Sequence, residues 1–333
     1  MSEEKSDSDK KFKVKSSIRL LVLVFLIVFV FVWKRDLIFS AFEQLRTMSL
    51  GFVALCTICS ILYSLLDGLS VSKVSGCKYK NGVRVSLIGA FYKLSTLGSA
   101  NGPAEILYLS RCGVPASKGT GSVLIRYALH KSAATLWGLF AFFYLVLTKN
   151  ALVKRYTAFV TLGAVLSFLI SIGFVLLCVS NRFSHLLILI NDKIFKKNKT
   201  QAEKNRAILS QFTEYGKETA KNYRELSFAL LANILKFIPQ FLLPVLVIRA
   251  KVPCNEVQIF ALTALAIMLS GVMVSPAGIG TLEYVFSLFF AEFASLSVVA
   301  TIVFRFFTMV FPFLLAIPIL FLAPKTKRES PKV

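Results

Sequence analysis

The sequence predicts an all-α integral membrane protein, and three observations support that fold class. Of its 333 residues, 56% are hydrophobic, and a mean hydropathy of +0.70 is too high for a soluble domain. Six apolar windows approach the roughly 20 residues that a helix needs to cross a bilayer. Two further apolar stretches are interrupted by Gly, Pro and polar residues. We therefore expect about six full transmembrane helices plus two re-entrant or broken helical hairpins.

The six windows cover both ends and the middle of the chain. They fall at Ile18–Trp33, Met48–Leu66, Ser132–Leu147, Tyr156–Val179, Leu226–Ile248 and Leu296–Leu322. The first window has the apolar character of a signal peptide, but Lys34, Arg35 and Asp36 follow it and no small-x-small cleavage site does. We interpret it as a retained anchor.

The two interrupted stretches are Val83–Leu109 and Val257–Phe293. Irregular backbone at membrane depth is tolerated only where protein or a water-filled cavity surrounds it. Two interrupted segments in matching halves of a chain are typical of transporter sites for a lipid or solute.

The distribution of Lys and Arg predicts the orientation. The chain has 39 Lys and Arg against 17 Asp and Glu, which suits an anionic membrane surface better than nucleic acid. Residues 181–224 hold ten of these cations, and the C-terminal tail adds four more. Because cytoplasmic loops are enriched in Lys and Arg, we expect both termini in the cytoplasm of a multi-pass cell-membrane protein.

The chain divides near Lys154 into halves that each contain two spans, one interrupted segment and a third span. An odd number of crossings per half would make the halves an inverted repeat, with Glu105 and Glu283 approaching from opposite faces. A coincidental arrangement of Gly, Pro and Glu is the alternative.

The chain is predicted to have three parts: a cytoplasmic tail at 1–17, a membrane domain at 18–323 and a basic tail at 324–333. The two halves of the membrane domain are 18–153 and 154–323. The basic segment 181–224 lies inside the second half.

The basic segment contains a helical stripe that is apolar on one side. Its members are Ile208, Phe212, Tyr215, Thr219 and Tyr223. This pattern suits an amphipathic helix lying at the membrane interface. A solvated linker helix with a packed stripe explains it equally well.

The most informative motif runs from Pro276 to Glu283. A helix that restarts at membrane depth presents unpaired N–H groups and a positive dipole end, which favour an anion such as a lipid phosphate. Gly278 and Gly280 would let that backbone approach the anion closely. Glu283 in the first turn could instead satisfy the dipole itself, or pair with Arg, Lys or a cationic headgroup.

A related motif lies in the first half, where Asn101, Gly102 and Pro103 precede Glu105. Each half also has an arginine in apolar surroundings at similar spacing from its glutamate: Arg126 follows Glu105 by 21 residues, and Arg305 follows Glu283 by 22. A cation at depth must pair, snorkel or line a wet cavity.

We expect Arg126 and Arg305 to line such a cavity, with His130 beside Arg126 as a further binding residue. For Lys93 and Lys236, which also interrupt apolar runs, we expect snorkelling towards the interface.

Signatures of enzymes and cofactors are missing from the sequence. It contains no Walker loop, no His-Glu-x-x-His and no Gly-x-Ser-x-Gly. The six cysteines are scattered, and the pair Cys56 and Cys59 lies in an apolar run without His or carboxylate neighbours. We expect no catalytic residue, no cofactor, no metal and no nucleic-acid partner.

At these motifs the sequence resembles the transmembrane domain of lysylphosphatidylglycerol synthases, the flippase-like domain of multiple peptide resistance factors and their stand-alone relatives. The most specific parts are Ser95–Leu109, Gly113-Val-Pro115 and Ser275–Tyr284 with its following phenylalanines. The family's second motif looks like Pro-x-Pro-Gly-x-x-Gly-x-x-Glu. Pro276, Gly278, Gly280 and Glu283 match it at slightly different spacing, whereas Asn101-Gly102-Pro103 departs from the family's usual Gly-Gly or Gly-Asp.

The resemblance implies movement of an aminoacylated or polyprenyl-phosphate-linked lipid between leaflets. Members with phosphatidylglycerol lysyltransferase activity carry an additional cytoplasmic catalytic domain, so we expect no transferase activity from this chain by itself. Two alternatives remain: a membrane component of a lysylphosphatidylglycerol synthase system with a separate catalytic enzyme, and a non-transporting envelope scaffold.

Overall fold

The computed structural model describes residues 43, 46–96, 98–196, 198–273, 280–293 and 295–321, and within these ranges the regular elements are all helices. The bounds of the α-helices are α1 Leu50–Ser75, α2 Tyr79–Ser95, α3 Asn101–Arg111, α4 Ala116–Leu147, α5 Ala151–Arg155, α6 Thr157–Val179, α7 Asn181–Ile194, α8 Lys199–Lys221, α9 Tyr223–Arg249, α10 Glu256–Ser270, α11 Thr281–Phe289, α12 Ser295–Arg305 and α13 Phe311–Phe321.

Five helical stretches in the described ranges are long and apolar enough to cross a membrane: α1, α4, α6, α9 and the continuous run from α12 to α13. They correspond to five of the six predicted windows. The remaining window, Ile18–Trp33, lies outside the described residues. The windows were too short at two ends, because α1 continues beyond Leu66 to Ser75 and α4 begins at Ala116, well before Ser132.

Both predicted interruptions are present as helix, break, helix. In the first, α2 ends at Ser95, Gly98 adopts a positive φ of 86°, and α3 begins with Pro103 in its first turn. Proline is tolerated there because the first N–H groups of a helix have no partner within it. In the second, α10 ends at Ser270 and α11 begins after Gly280, whose φ of 90° favours glycine.

Helices α1 and α9 pack most extensively against each other, and they are antiparallel. Lys73 near the end of α1 pairs with Glu225 at the start of α9, at 2.9 Å. One turn or so deeper, Asn233 Nδ2 donates to Ser70 Oγ at 2.6 Å. We call this line of polar contacts the α1–α9 seam.

The charged hairpin α7–α8 packs against the ends of α1 and α4 through Tyr215 on α8. Its hydroxyl donates to the carbonyl of Val74 at 2.8 Å and accepts from Ser122 Oγ at 3.0 Å. The ring lies against Gly121, where a Cβ would approach it to 2.2 Å. Of the predicted stripe, Tyr215 is buried whereas Ile208 and Tyr223 are exposed.

The last span contains a π-helical turn at Phe306–Val310, directly after Arg305. Ser60 Oγ from α1 donates to the carbonyl of Phe307 at 2.5 Å. A π turn widens the helix locally and leaves carbonyls available to neighbouring groups, and such turns often lie near functional sites.

Candidate functional site

The first glutamate–arginine pair is formed in the structure. Arg126 Nη2 on α4 lies 2.6 Å from Glu105 Oε1 and 2.7 Å from Glu105 Oε2 on α3. Glu105 is 2% exposed, so this charge is buried at membrane depth. A hydrogen bond between a guanidinium and a carboxylate is about twice as strong as one between neutral groups.

Asp67 extends that pair into a network that the sequence analysis missed. Its carboxylate lies 2.6 Å from Lys236 Nζ and 3.4 Å from Arg126 Nη1, and it accepts a hydrogen bond from Ser86 Oγ at 2.5 Å. The interior network therefore joins two carboxylates to two cations from four helices, and Ser86 adds a contact from a fifth. We call Asp67, Glu105, Arg126 and Lys236 the α1–α4 network.

The prediction that Lys236 snorkels is wrong. Its side chain is 1% exposed, pairs with Asp67 and lies 5.7 Å from the centre of the Tyr63 ring. One feature could have indicated the pairing. Once α1 is extended to Ser75, Asp67 lies inside a span, and a carboxylate and a lysine that both lie at membrane depth each need a partner of opposite charge.

Glycines bring the backbones close enough for this network. A Cβ on Gly89 would lie 2.0 Å from Glu105 Oε1. Between α1 and α2, a Cβ on Gly68 would lie 2.6 Å from the Val83 backbone, and one on Gly82 would lie 2.3 Å from the Gly68 carbonyl. Small residues at such crossings allow the close helix packing that is common in membranes.

The second glutamate–arginine pair is formed as well. Arg305 Nε lies 2.6 Å from Glu283 Oε1, and Arg305 Nη2 lies 2.9 Å from Glu283 Oε2. Glu283 also accepts a hydrogen bond from the Gly280 N–H at 2.7 Å. Two of the roles considered for this glutamate therefore coexist: it pairs with arginine and it caps its own helix.

The remaining predicted residues have more varied positions. The His130 ring packs against Phe237 at 5.0 Å. Asn101 and Gly102 with Pro103 form the first turn of α3, two residues before Glu105. Pro276 and Gly278 lie outside the described residues.

Two lysines lie close to the interruptions. Lys131 Nζ on α4 donates to the Gly271 carbonyl just beyond α10 at 2.9 Å, where it meets the negative end of that helix dipole. Lys93 is in the last turn of α2, immediately before the first break, and its side chain is exposed.

The network leaves little free volume. A cavity of about 10 Å³ is lined by Glu105, Arg126, Ser122 and four apolar neighbours, which is about the space that one water molecule requires. Within the described ranges no group of three His, Cys, Asp or Glu side chains could hold a metal ion. The chemistry that the described residues show here is charge pairing between carboxylates and cations.

These features define a multi-pass helical membrane protein whose interior carries paired charges beside two interrupted helices. The family model for the transmembrane region of lysylphosphatidylglycerol synthase matches residues 16–316. The chain therefore belongs to the lysylphosphatidylglycerol synthase transmembrane-region family, and a function connected with membrane lipids follows from that membership. Comparisons with curated proteins and with solved structures found no match.

Proposed function

We propose that this protein is a lipid flippase or lipid transporter that moves an aminoacylated phospholipid or a polyprenyl-phosphate-linked lipid between leaflets. The observation that carries the proposal is the repetition of one arrangement: Glu105 and Glu283 each follow an interruption, and each pairs with an arginine on the next long helix. The other residues proposed to line the substrate path are Asn101, Gly102, Pro103, His130, Pro276, Gly278 and Gly280.

An inverted repeat is part of the proposal. Residues 50–147 and 223–321 have the same order of elements: a long helix, a helix, a break, a short helix, and a final long helix. The first helices of the two stretches, α1 and α9, are antiparallel along the α1–α9 seam. Related units in opposite orientation would direct the two interruptions into the membrane from opposite sides, as alternating access requires.

The paired charges would lower the cost of moving a headgroup. An isolated charge at the bilayer centre costs about 3 kcal/mol or more, so a headgroup needs compensating groups along its path. Arg126 and Arg305 could exchange a carboxylate for a lipid phosphate, because both anions accept the same two-point hydrogen bonds. The acyl or prenyl chains would remain in lipid while the headgroup crosses.

The proposed location is the cell membrane, with both termini in the cytoplasm. The hairpin α7–α8 and the C-terminal tail would then face the anionic inner leaflet, consistent with their Lys and Arg content.

A flippase assay tests the proposal. The purified protein is reconstituted into phosphatidylcholine vesicles that contain a trace of fluorescent phosphatidylglycerol, and a membrane-impermeant reductant is added outside. Transport exposes the inner-leaflet lipid, so the fluorescence should fall towards zero rather than to about half. The second phase of the fluorescence decay is the loss of signal from the inner-leaflet lipid. We expect Glu105→Gln and Glu283→Gln to slow this phase by about tenfold or more, which corresponds to a rise of about 1.4 kcal/mol in the activation free energy of transport.

The exposed carboxylate of Glu203 on α8 supplies the matched control. Glu203→Gln removes the same charge far from the interruptions and should transport as the unmodified protein does. Equal rates in all variants, or no transport by any of them, would exclude the proposed role of the two pairs.

A second candidate function is a membrane component for a separate lipid-modifying enzyme, or a scaffold for envelope enzymes. The observation in its favour is the basic hairpin α7–α8, which offers a charged surface to a partner. Neutralising exposed lysines of α8, such as Lys204 and Lys221, would abolish function in that case while Glu105→Gln and Glu283→Gln would not.

A further inference from the structure

We propose that a cavity at the ends of α1, α4 and α8 is an outer binding site for a phosphate-bearing headgroup, and that Tyr215 closes the path from this site to Arg126. This site rests on the proposed function and adds to it the place where a headgroup binds before it crosses.

The outer cavity is large enough for such a headgroup. Its volume is about 430 Å³, and sites for small molecules usually have about 300–1,000 Å³. Its lining includes Lys73, Lys118, Tyr215, Glu218 and Asn222. Glu218 and Asn222 are exposed whereas Tyr215 is buried. The cavity therefore opens at the surface and extends inwards to Tyr215.

The outer cavity lies at the depth where headgroups are found. Three lining residues belong to the terminal turns of candidate spans: Lys73 to the last turn of α1, Lys118 to the first turn of α4 and Glu225 to the first turn of α9. The polar headgroup region of a bilayer adjoins the ends of its spanning helices. A headgroup in that leaflet is therefore level with the cavity.

Tyr215 separates the outer cavity from the smaller one beside the first glutamate–arginine pair. We call the latter, the cavity of about 10 Å³ lined by Glu105, Ser122 and Arg126, the inner cavity. Tyr215 lines the outer cavity, Ser122 lines the inner one, and their hydroxyls are hydrogen-bonded at 3.0 Å. This hydrogen bond therefore forms part of the wall between the two cavities.

Three residues of α4 lead from one cavity to the other. Lys118, Ser122 and Arg126 are four residues apart, so they share one face of the helix, with a rise of about 6 Å between neighbours. Lys118 lines the outer cavity, and Ser122 and Arg126 line the inner one. A phosphate that moves along this face meets an ammonium, a hydroxyl and a guanidinium, which all donate hydrogen bonds.

Lys118 is the cation of the outer cavity that a phosphate can use. The other lysine, Lys73, is already paired with Glu225 at 2.9 Å. Lys118 is partly buried and forms no ion pair within the described part of the chain, so its three donors are available to an anion. The Glu218 carboxylate at the rim is exposed, and dissolved salt therefore screens its repulsion.

Contacts on two sides hold Tyr215 in the closed position. Its hydroxyl donates to the Val74 carbonyl at 2.8 Å, and its ring lies against Gly121, where only glycine leaves room for it. Each hydrogen bond contributes modestly to the closed state, so a bound headgroup can displace the side chain. Once Tyr215 has moved, the Ser122 hydroxyl is free to donate to the phosphate.

Cys77 also lines the outer cavity and reports whether the cavity is occupied. The full chain, with Cys77 as its only cysteine, is purified in dodecyl maltoside, and maleimide labelling is timed alone, with dioctanoyl phosphatidylglycerol and with glycerol 3-phosphate. We expect the lipid to slow labelling by about threefold or more, because the thiol reacts only where the reagent reaches it. Lys118→Gln should lose this protection.

Two controls accompany the occupancy measurement. Lys204→Gln removes a lysine from the exposed part of α8 that does not line the cavity, and it should retain the protection. A chain that keeps only Cys254, in the loop between α9 and α10, should label at the same rate with and without lipid.

Val71 is buried and lines the inner cavity, so Val71→Cys reports whether the path is open. As the only cysteine, it is labelled with a small anionic methanethiosulfonate. We expect Tyr215→Phe and Ser122→Ala, which each remove the hydrogen bond between the cavities, to accelerate labelling by about threefold or more. Tyr223→Phe on the surface should not. A chain that keeps only the buried Cys56 reports general loosening and should label equally in all variants.

Each result supports or overturns one part of the proposal. Protection of Cys77 by both compounds would support a site for phosphate alone, and protection by the lipid only would support a site for a lipid headgroup. No protection, or equal protection in Lys118→Gln, would overturn the outer site. Unchanged labelling of Val71→Cys in Tyr215→Phe, or equal acceleration at Cys56, would overturn the closure.

Neither measurement involves transport. Failure of the vesicle assay would therefore remove the flippase function and leave the outer site and its closure to be decided by the labelling rates. Conversely, transport without protection of Cys77 would keep the flippase function and overturn the outer site.

Discussion

Gly89 and Glu105 lie so close that a β-carbon built on Gly89 would be 2.0 Å from Glu105 Oε1. A carboxylate buried to this degree cannot move aside without leaving Arg126. Gly89 is therefore the residue of α2 that makes room for the α1–α4 network.

We expect Gly89→Ala to displace Glu105, to cost about 1–3 kcal/mol of stability and to abolish lipid transport. Gly173→Ala on α6 is the matched control, because a Cβ there meets no atom within 4 Å. Thermal unfolding in detergent and the vesicle assay measure both effects. Unchanged stability and transport in Gly89→Ala would contradict the close approach of these helices.

The pair of Asp67 and Lys236 should be strongly coupled. Removal of one partner of a buried ion pair costs about 3–5 kcal/mol, since the other charge is left without compensation. We expect Lys236→Gln to be destabilising, and to cost less in a chain that already carries Asp67→Asn. A double-mutant cycle on the unfolding free energy measures the coupling, and additive effects would show that the contact contributes nothing.

Substitutions of Glu283 can separate its two roles. Gln retains an oxygen that can accept from the Gly280 N–H but loses the charge that pairs with Arg305, whereas Ala loses both. We expect Glu283→Gln and Glu283→Ala to slow transport alike, by about tenfold or more, and Glu283→Ala to lose a further 1 kcal/mol or so of stability from the missing cap. Equal stability of the two variants would argue against the capping contact.

Tyr215 should hold the hairpin α7–α8 against the bundle. Tyr215→Phe removes the hydroxyl that joins Val74 and Ser122, at a cost of about 1 kcal/mol, and Tyr215→Ala also removes the ring from Gly121. We expect faster cleavage of residues 195–200 by protease, most of all in Tyr215→Ala. The exposed Tyr223 provides the control, since Tyr223→Phe should leave the cleavage rate unchanged.

Cysteine labelling tests the orientation. Cys254 lies in the loop between α9 and α10, which should be external, whereas Ser210 on α8 should be cytoplasmic. In chains with a single cysteine, we expect an impermeant maleimide to label Cys254 in intact cells and to label Ser210→Cys only after permeabilisation. The reverse pattern would invert the orientation.

The same reagent gives a pH prediction. Burial and the nearby Glu256 carboxylate raise the pKa of the Cys254 thiol above its ordinary value, although Arg249 opposes them. Because the thiolate is the reactive form, labelling of Cys254 should keep accelerating at pH values where a free thiol has already ionised. A labelling rate that levels off at the same pH as that of a free thiol would contradict the raised pKa.

The sequence was most informative where local chemistry decides the structure. Gly and Pro at 98–103 and 276–280 predicted the two interruptions, and the matched spacing of Glu105 to Arg126 and of Glu283 to Arg305 suggested partners that the structure pairs. The sequence analysis did not identify Asp67 as a site residue, because hydropathy windows end a helix at its first charge. In the structure a buried partner on α9 allows α1 to continue past Asp67 to Ser75. The prediction for Lys236 was wrong because its partner lies 169 residues away in the sequence, and pairing over that separation leaves no local pattern.

The π turn at Phe306–Val310 was also beyond sequence reasoning. A π turn differs from an α-helix by one residue within an otherwise regular apolar run, so hydrophobic periodicity does not reveal it. The contact that accompanies it, from Ser60 to Phe307, joins residues 247 positions apart. The meeting of Glu105 with Glu283 from opposite faces remains a prediction.

The α1–α9 seam is exposed at one end and buried along the rest of its length. Lys73 and Glu225 at one end are about one-third exposed, Ser70 and Asn233 are buried, and Lys236 beside Asp67 is 1% exposed. Dissolved salt weakens an exposed pair and hardly reaches a buried one. We therefore expect the two helices to separate first at the end that carries Lys73 and Glu225. Ionic strength should weaken that ion pair and leave the buried contacts of the seam unchanged.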